Sequence, residues 1–518
     1  MADISPAEEV EVKAESGRTT SLWHATVGDM TRTPLPGDAR ADVCVVGAGI
    51  AGLSTAYLLC RAGRHVIVLD DGPIGGGETG RTTAHLSDAL DDRYARLERL
   101  HGGGGARQAA HSHRSAIDLI ERIVVEEGID CDFAWVDGYL FPPDAEGDTS
   151  SAHKELRAEL EAAHRAGAPA EMAEAVPYAP FSGKQALHFS RQARFHPLRY
   201  LSGLAERFEA LGGRIHTGTQ VTSVTGGAPV RVETALGGTV LASACVVATN
   251  SPISDRVITH TKQAPYRTFA IAAQVPSGSV PDALYWEDAD PYIYIRLQPG
   301  DGHDWLIVGG EDHKTGQKDD DVARLRRLEE WTRARFPMVE RVDHAWSGQV
   351  LEPADGPAYI GANPDGSENV YIITGDSGHG MTHGTIGGML ITDLILGRTN
   401  PWASLYDPRR ITLRASGELA KENLNVAVQY AAWVLPGDVA SDEEVPAGEG
   451  RVVRRGARMI AVYRDPDGQV HERSAVCTHM GCVVNWNELE KSWDCPCHGS
   501  RFDPLGAVLN GPARKPLE

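Results

Sequence analysis

The residues with the clearest chemistry lie near the end of the chain. Cys477-x-His479 opens the segment "CTHMGC" (477–482), and Cys495-x-x-His498 opens "CPCHGS" (495–500), with fifteen residues between His479 and Cys495. Each segment offers one thiolate and one imidazole. Such a set suits tetrahedral zinc. It also suits a two-iron centre in which both thiolates hold one iron and both imidazoles the other. Zinc pairs usually group like ligands together, whereas here each segment mixes them, which favours iron and sulfide. Two further cysteines, Cys482 and Cys497, lie inside the same segments, and this clustering points to chemistry rather than packing. Cys44, Cys60, Cys131 and Cys245 stand apart among apolar neighbours and read as buried thiols.

A second constellation opens the chain. In "ADVCVVGAGIAGLSTAYLLCRAGRHVIVLDDG" (41–72), a buried strand leads into Gly47-x-Gly49-x-x-Gly52, a helix follows, and "HVIVL" forms a second strand ending at Asp70. Gly47 permits the tight turn, Gly49 lets a pyrophosphate approach the backbone, and Gly52 lets helix and strand pack closely. The helix N-terminus favours phosphate, and Asp70 is placed for ribose hydroxyls. The motif binds a dinucleotide and does not by itself separate FAD from NAD.

These sites need several domains to hold them. A chain of 518 residues exceeds one hydrophobic core and predicts two to four domains. The net charge of −21 argues against nucleic acid or an anionic membrane as partner. No stretch is long and apolar enough to span a bilayer. The acidic start lacks a signal-peptide pattern, so residues 1–20 read as a loose leader and the expected location is cytoplasmic. Apolar residues spaced through 407–437 predict a helix returning across the first domain, and "DVASDEEVPAGEG" an acidic hinge. "RVVRRGARMIAVYRDPDGQV" then predicts a β-hairpin. So short a join predicts a docked terminal domain rather than a tethered one.

Beyond the glycine motif, "GGGETGRTTAHLS" (75–87), "ARFHPLRYLSGLAERFEALGGRIHTGTQVTSV" (193–224), "ACVVATNSP" (244–252) and the "GDSGHGMTHG" stretch (375–384) follow in order. Over about 20–410 this resembles the FAD-dependent amine and amino-acid oxidoreductases of the D-amino-acid oxidase-like family. The resemblance implies a discontinuous α/β FAD-binding domain, Rossmann-like and of the glutathione-reductase type (21–134, 186–258 and 340–412). It also implies an interleaved α+β antiparallel-sheet substrate domain (135–185 and 259–339). It places Gly47, Gly49, Gly52 and Asp70 at the ADP half, with Val221 at the adenine side. Arg81, Thr82, Thr83, Ala84 and His85 fall along the flavin, and Thr249 and Asn250 beneath it. Gly375, Ser377, Gly378, His379, Gly380, Met381 and Thr382 form the loop beside the isoalloxazine. A helix beginning near Thr385 would aim its dipole at the reduced ring. Arg81 stands near the position at which some relatives carry a flavin-linking histidine, so the FAD is expected to be non-covalent.

The C-terminal segments resemble the Rieske proteins over about 437–518, following the connecting helix (413–436). The resemblance implies an all-β domain with a [2Fe-2S] cluster on Cys477, His479, Cys495 and His498, and a Cys482–Cys497 disulfide between the loops. Ser500 matches a serine that bonds a cluster sulfide in high-potential relatives. Phe502 stands where those relatives have a tyrosine, which lowers the expected potential. The chain ends soon after the second loop, where relatives continue.

On the substrate side, "DPYIYIR" alternates, so Tyr292, Tyr294 and Arg296 share a strand face, with Arg296 placed to bind a carboxylate. Tyr292, Tyr294, Arg296 and His379 are the expected catalytic group, and Trp23, Arg267 and His313 are further candidates. Asp376, His379 and His383 also imitate a two-histidine, one-carboxylate iron site, at a spacing unlike that of the oxygenases. The expectation is an FAD-dependent dehydrogenase. It oxidises a C–N bond of a small amine or amino acid and passes electrons singly through the cluster to an external acceptor protein. Two alternatives stay open: reversed flow, with the cluster feeding a reductase or monooxygenase flavin, and a non-enzymatic electron carrier or redox sensor.

Overall fold

A computed structural model describes residues 17–143, 150–254, 259–289 and 291–518. Most of the proposed leader and Asp290 lie outside these residues. The N-terminal strand Ala39–Val46 buries its second half completely, as a parallel strand covered on both faces requires. It pairs in parallel with Val66–Leu69 on one side and Thr239–Val247 on the other. Val370–Thr374 joins Thr239–Val247 in parallel, completing the centre of an eight-stranded sheet. The helices Ile50–Arg61 and Gly380–Ile395 cover it. The second helix starts at Gly380, five residues before the expected Thr385, so Gly380, Met381 and Thr382 belong to its first turn and only residues 375–379 form the preceding loop.

A nine-stranded sheet stands against this layer. Its order runs from Val342–Pro353 through Gln263–Val275, Asp304–Lys314, Ile293–Pro299, Ala283–Glu287 and Ala134–Phe141 to Ala186–Arg194 and His85–Leu86. All neighbours are antiparallel except Ala283–Glu287 with Ala134–Phe141. Three of these strands correct the expected boundaries. His85–Leu86, Ala186–Arg194 and Val342–Pro353 fall in segments assigned to the cofactor domain, yet they hydrogen-bond into the second sheet. Sheet membership depends on partners far along the chain, which the local sequence does not record.

The expected hairpin forms as Glu449–Arg455 against Arg458–Arg464, and a second antiparallel sheet of four short strands follows. The connecting helix Ser416–Gln429 buries none of its residues. Its Asn423 donates to Thr261 O at 3.0 Å, and Lys314 reaches Glu422, so the helix does return across the larger unit. Its apolar positions Leu424 and Val428 face outward instead of packing.

The terminal domain is docked. Arg81, Arg267 and Glu490 meet in a buried cluster, and Gln349 donates to Gly499 O at 3.1 Å. Asn510 donates to Glu78 at 3.1 Å.

Candidate functional site

Between the two large sheets lies a cavity of about 760 Å3. At one end the glycine loop forms its floor. A Cβ on Gly52 would lie 1.8 Å from Gly47 O, so only glycine lets this helix begin so close to the strand. Asp70 turns its carboxylate back on the loop, accepting hydrogen bonds from the amides of Ala48 and Gly72. Burial and the neighbouring Asp71 raise its pKa. Asp71 also reaches the cavity wall, a position the motif did not single out. Val221, Thr249 and Asn250 line the same end.

Of the residues expected to touch the flavin, Arg81, Thr82, Thr83, His85, Ser377, Gly378, His379, Gly380 and Met381 line the cavity. Ala84, Gly375 and Thr382 do not. Thr382 points away and bonds His113 Nδ1 at 2.8 Å. Arg81 is spent inside the molecule, donating to Ser347 O at 2.9 Å, Thr19 O at 2.8 Å and Glu490 at 3.2 Å. His379 Nε2 accepts from the Asp91 amide at 2.9 Å. His383 Nδ1 is bonded to Asp376 O, and the Asp376 carboxylate accepts from the Leu351 amide. The imitation iron triad is therefore committed to other bonds.

The far wall carries Tyr292 and Tyr294, their rings 5.8 Å apart. Tyr292 donates to Asp91 at 3.1 Å, and the Tyr294 hydroxyl lies 2.6 Å from Thr268 Oγ1. Arg296 is the clear correction. It is fully buried, it does not line the cavity, and its guanidinium donates to Thr83 O, Ala84 O, Phe195 O and Gln298. It therefore holds the flavin-side loop in place, turned away from the cavity where a substrate carboxylate would lie. Burial, then the charge of Arg296, push His85 down to about 3 and keep it neutral. The lesser candidates are also structural. Trp23 donates to Thr82 O, Arg267 pairs with Glu490, and His313 lies 2.9 Å from Asp321.

In place of a free arginine the wall offers carboxylates that sequence reasoning missed. Asp312 and Glu352 line the cavity from two strands of the nine-stranded sheet, and Asp91 and Asp376 line it as well. Burial pushes Asp312 up to about 7 against the pull of Thr268. Burial, then the charges of Asp312 and Asp92, push Glu352 up to about 8. Asp312 Oδ1 is buried with no hydrogen-bond partner. The cavity's Arg93 and Arg96 are paired with Asp288 and Asp92. Asp312 and Glu352 sit in ordinary strands without a motif, and only their convergence on one cavity marks them.

The C-terminal loops are built alike. Cys477 N donates to Cys482 O at 2.8 Å and Gly481 N to Cys477 O at 3.0 Å; Cys495 N donates to Ser500 O at 2.8 Å and Gly499 N to Cys495 O at 3.1 Å. Gly481 and Gly499 occupy the left-handed region, with φ of 80° and 76°. Two matching turns thus present Cys477 with Cys495 and His479 with His498, the histidine rings 5.0 Å apart. Cys482 and Cys497 are disulfide-bonded beside them. The hydrogen bond from Cys495 lowers the Cys477 pKa, aided by the amides of His479 and Met480. His498 Nδ1 is buried and makes no hydrogen bond, as a metal-facing nitrogen would be. Two paired thiols, two paired imidazoles and a buried open nitrogen fit a [2Fe-2S] cluster; the glycine loop and its long cavity fit FAD.

The family model for FAD-dependent oxidoreductases matches residues 42–394, and that for the Rieske [2Fe-2S] domain matches 436–518. The chain belongs to the FAD-dependent oxidoreductase family. Its C-terminal domain is a Rieske domain, and the protein carries FAD and a [2Fe-2S] cluster as its cofactors. A Bacillus subtilis protein named for a Rieske 2Fe-2S centre, YhfW, is 31% identical over 96% of this chain and 97% of its own length. Gamma-glutamylputrescine oxidoreductase of Escherichia coli is 27% identical over 69% of this chain and 84% of its own. Among solved structures, glycine oxidase from Geobacillus kaustophilus superposes with a TM-score of 0.60 at 17% identity, covering 72% of this chain and all of that one. That likeness concerns the fold of the flavin unit. Among the described residues no helix is long and apolar enough to cross a membrane.

Proposed function

We propose that this oxidoreductase dehydrogenates a cationic amine at a carbon next to nitrogen and delivers the electrons, one at a time, through its Rieske domain to an external one-electron acceptor protein. Bound FAD supplies two-electron acceptance at N5, and the cluster supplies one-electron exchange. The observation that carries the reading is the cavity wall. Tyr292 and Tyr294 shape it, Asp312 and Glu352 line it with carboxyls that ionise around neutral to slightly alkaline pH, and the guanidinium groups of Arg93 and Arg96 are paired to Asp288 and Asp92. Such a wall attracts an ammonium group and disfavours an isolated carboxylate. Asp312 and Glu352, with pKa values near 7 and 8, can also take up the ammonium proton, leaving the neutral amine that hydride loss requires. The kinship with an enzyme named for gamma-glutamylputrescine supports an amine substrate. In this reading Gly47, Gly49 and Asp70 hold the ADP half, and His379 and its loop lie along the flavin. The setting is cytoplasmic.

The docked geometry supports electron exchange between cavity and cluster within one molecule, since residues of the Rieske domain (Leu509, Asn510 and Gly511) line the same cavity. The test is anaerobic mixing of the purified protein with a panel of primary, secondary and N-methyl amines, amino acids, NADH and NADPH, followed by absorbance and EPR. An amine should bleach the flavin, and the reduced Rieske signal should then grow. If only NADH, NADPH or a reduced ferredoxin raises that signal, the direction is reversed and the proposal fails.

A further inference from the structure

One buried side chain outside every sequence motif meets the cluster-ligand histidines on one side and backbone next to the cavity wall on the other. His260 follows the cavity-wall segment and is 3% exposed. Its ring lies 5.2 Å from that of His479 and 6.4 Å from that of His498, edge to face in both cases. Its Nε2 is 3.2 Å from Pro252 O. Pro252 is flanked by Ser251 and Ile253, which both line the cavity. Ser251 in turn packs against Gly511 of the Rieske domain, where an added Cβ would meet it at 3.6 Å. The cavity wall, the Pro252 carbonyl, the His260 imidazole and the two ligand rings therefore form one continuous set of contacts. The ligand histidines do not simply face water, as they would in a free-standing domain. They are met by a side chain of the flavin unit.

We propose that His260 is the positioning residue for electron exchange between the two sites. It holds the ligand imidazoles in register with the cavity wall and bridges the gap that the electron crosses. This rests on the function proposed above. The balance is simple. Oxidation of the amine C–N bond to an imine releases two electrons and two protons. Two single-electron passages across the His260 contact carry those electrons to the cluster in turn, and two equivalents of an external one-electron acceptor remove them. His260 gains and loses no proton in this scheme; its part is contact and placement. The ring meets the ligand imidazoles on one side and the Pro252 carbonyl on the other, so at this point buried side chain rather than solvent fills the space between the two sites.

The experiment uses full-length holoprotein and needs no knowledge of the substrate. The flavin is photoreduced under anaerobic conditions, and cluster reduction is followed by absorbance and EPR in the unmodified protein and in His260→Ala, His260→Gln and His260→Phe. In His260→Ala the internal exchange rate should fall about tenfold or more. The EPR g values of the reduced cluster should shift, because the surroundings of His479 and His498 change. His260→Phe restores the ring and should recover part of the rate, whereas His260→Gln keeps a polar group near Pro252 without the ring and should recover less. A His260→Ala rate within about twofold of the unmodified protein, with iron content intact, overturns the proposal. So does loss of the cluster in His260→Phe as well as His260→Ala, since His260 would then merely support the loops. Absence of any internal exchange in the unmodified protein would remove the underlying functional reading as well, and so is distinguishable from failure of His260 alone.

Discussion

Arg81 Nη1 lies 3.2 Å from Glu490 Oε1, and neither side chain is reached by solvent. The pair crosses the boundary between flavin unit and Rieske domain, and Arg267 approaches the same oxygen at 3.2 Å. Thr19 donates its amide to Glu490 at 3.0 Å, so the start of the described chain is tied into the same knot. One carboxylate thus compensates two buried guanidinium groups. Removing it leaves uncompensated charge, an effect that costs about 3–5 kcal/mol when a buried pair is broken from one side. Glu490→Gln should lower the apparent melting temperature by several degrees and expose the acidic 438–450 hinge to protease. Unchanged melting and unchanged proteolysis would show that the two domains dock without this cluster.

The same carboxylate makes docking sensitive to acid. Burial alone would raise the Glu490 pKa; the charges of Arg81, Arg267 and Arg501 outweigh it and hold it at about 2, below the ordinary 4.5. A depressed folded-state value stabilises fully above 4.5, and that contribution is lost as pH falls from 4.5 toward 2. Stability, measured from unfolding followed by tryptophan fluorescence, should therefore fall steeply as pH drops through this window in the unmodified protein. Glu490→Gln should show a flatter profile there, and matching slopes would refute the assignment.

Much of the chemistry was legible because it is written in local spacing. The ligand loops and the glycine turn each lie within a few residues, and the backbone closes them as those residues require. What escaped is non-local. Alternation put Tyr292 and Tyr294 on one strand face; both line the cavity, although the strand itself begins one residue later, at Ile293. It could not reveal that Thr83, Ala84 and Phe195 wait behind Arg296 to consume its donors. Asp312 and Glu352 look like ordinary strand acids until Asp304–Lys314 and Val342–Pro353 are seen on either side of Gln263–Val275. His260 and Glu490 matter only because two domains meet, and nothing in either domain's own pattern records the partner.

The cavity acids predict a pH-dependent affinity for cations. A quaternary ammonium ion such as tetramethylammonium cannot be oxidised by loss of an N–H proton and keeps its charge at every pH, so only the protein titrates. Asp312 and Asp376 are pushed up to about 7 and Glu352 to about 8, so the cavity gains negative charge as pH rises through that range. Affinity, read from perturbation of the flavin spectrum, should climb from slightly acid to slightly alkaline pH. Asp312→Asn should weaken binding about tenfold, the scale of one charge-assisted contact. A flat pH profile together with an unaffected variant would mean that the ammonium reading of this wall is wrong.

The second ligand loop predicts a potential that one hydroxyl can move. Phe502 is fully buried, and its strand pairs with Trp493 just beyond the Cys495 turn. Ser500, two residues earlier, is also buried, and its Oγ accepts from the Ala513 amide at 3.0 Å. Hydrogen bonds to ligand or bridging sulfur stabilise the reduced, more negative cluster and so raise its potential. With phenylalanine at 502, one such donor is missing. Phe502→Tyr should restore it. A hydrogen bond with a net value of about 1 kcal/mol corresponds to about 40 mV for a one-electron couple. EPR-monitored redox titration should show the midpoint rising by this order, with iron content and the disulfide retained. Ser500→Ala should move it the opposite way. If both variants keep their iron and neither shifts the midpoint, the outer-shell hydroxyls do not set the potential here, and burial beneath the flavin unit must be the dominant control.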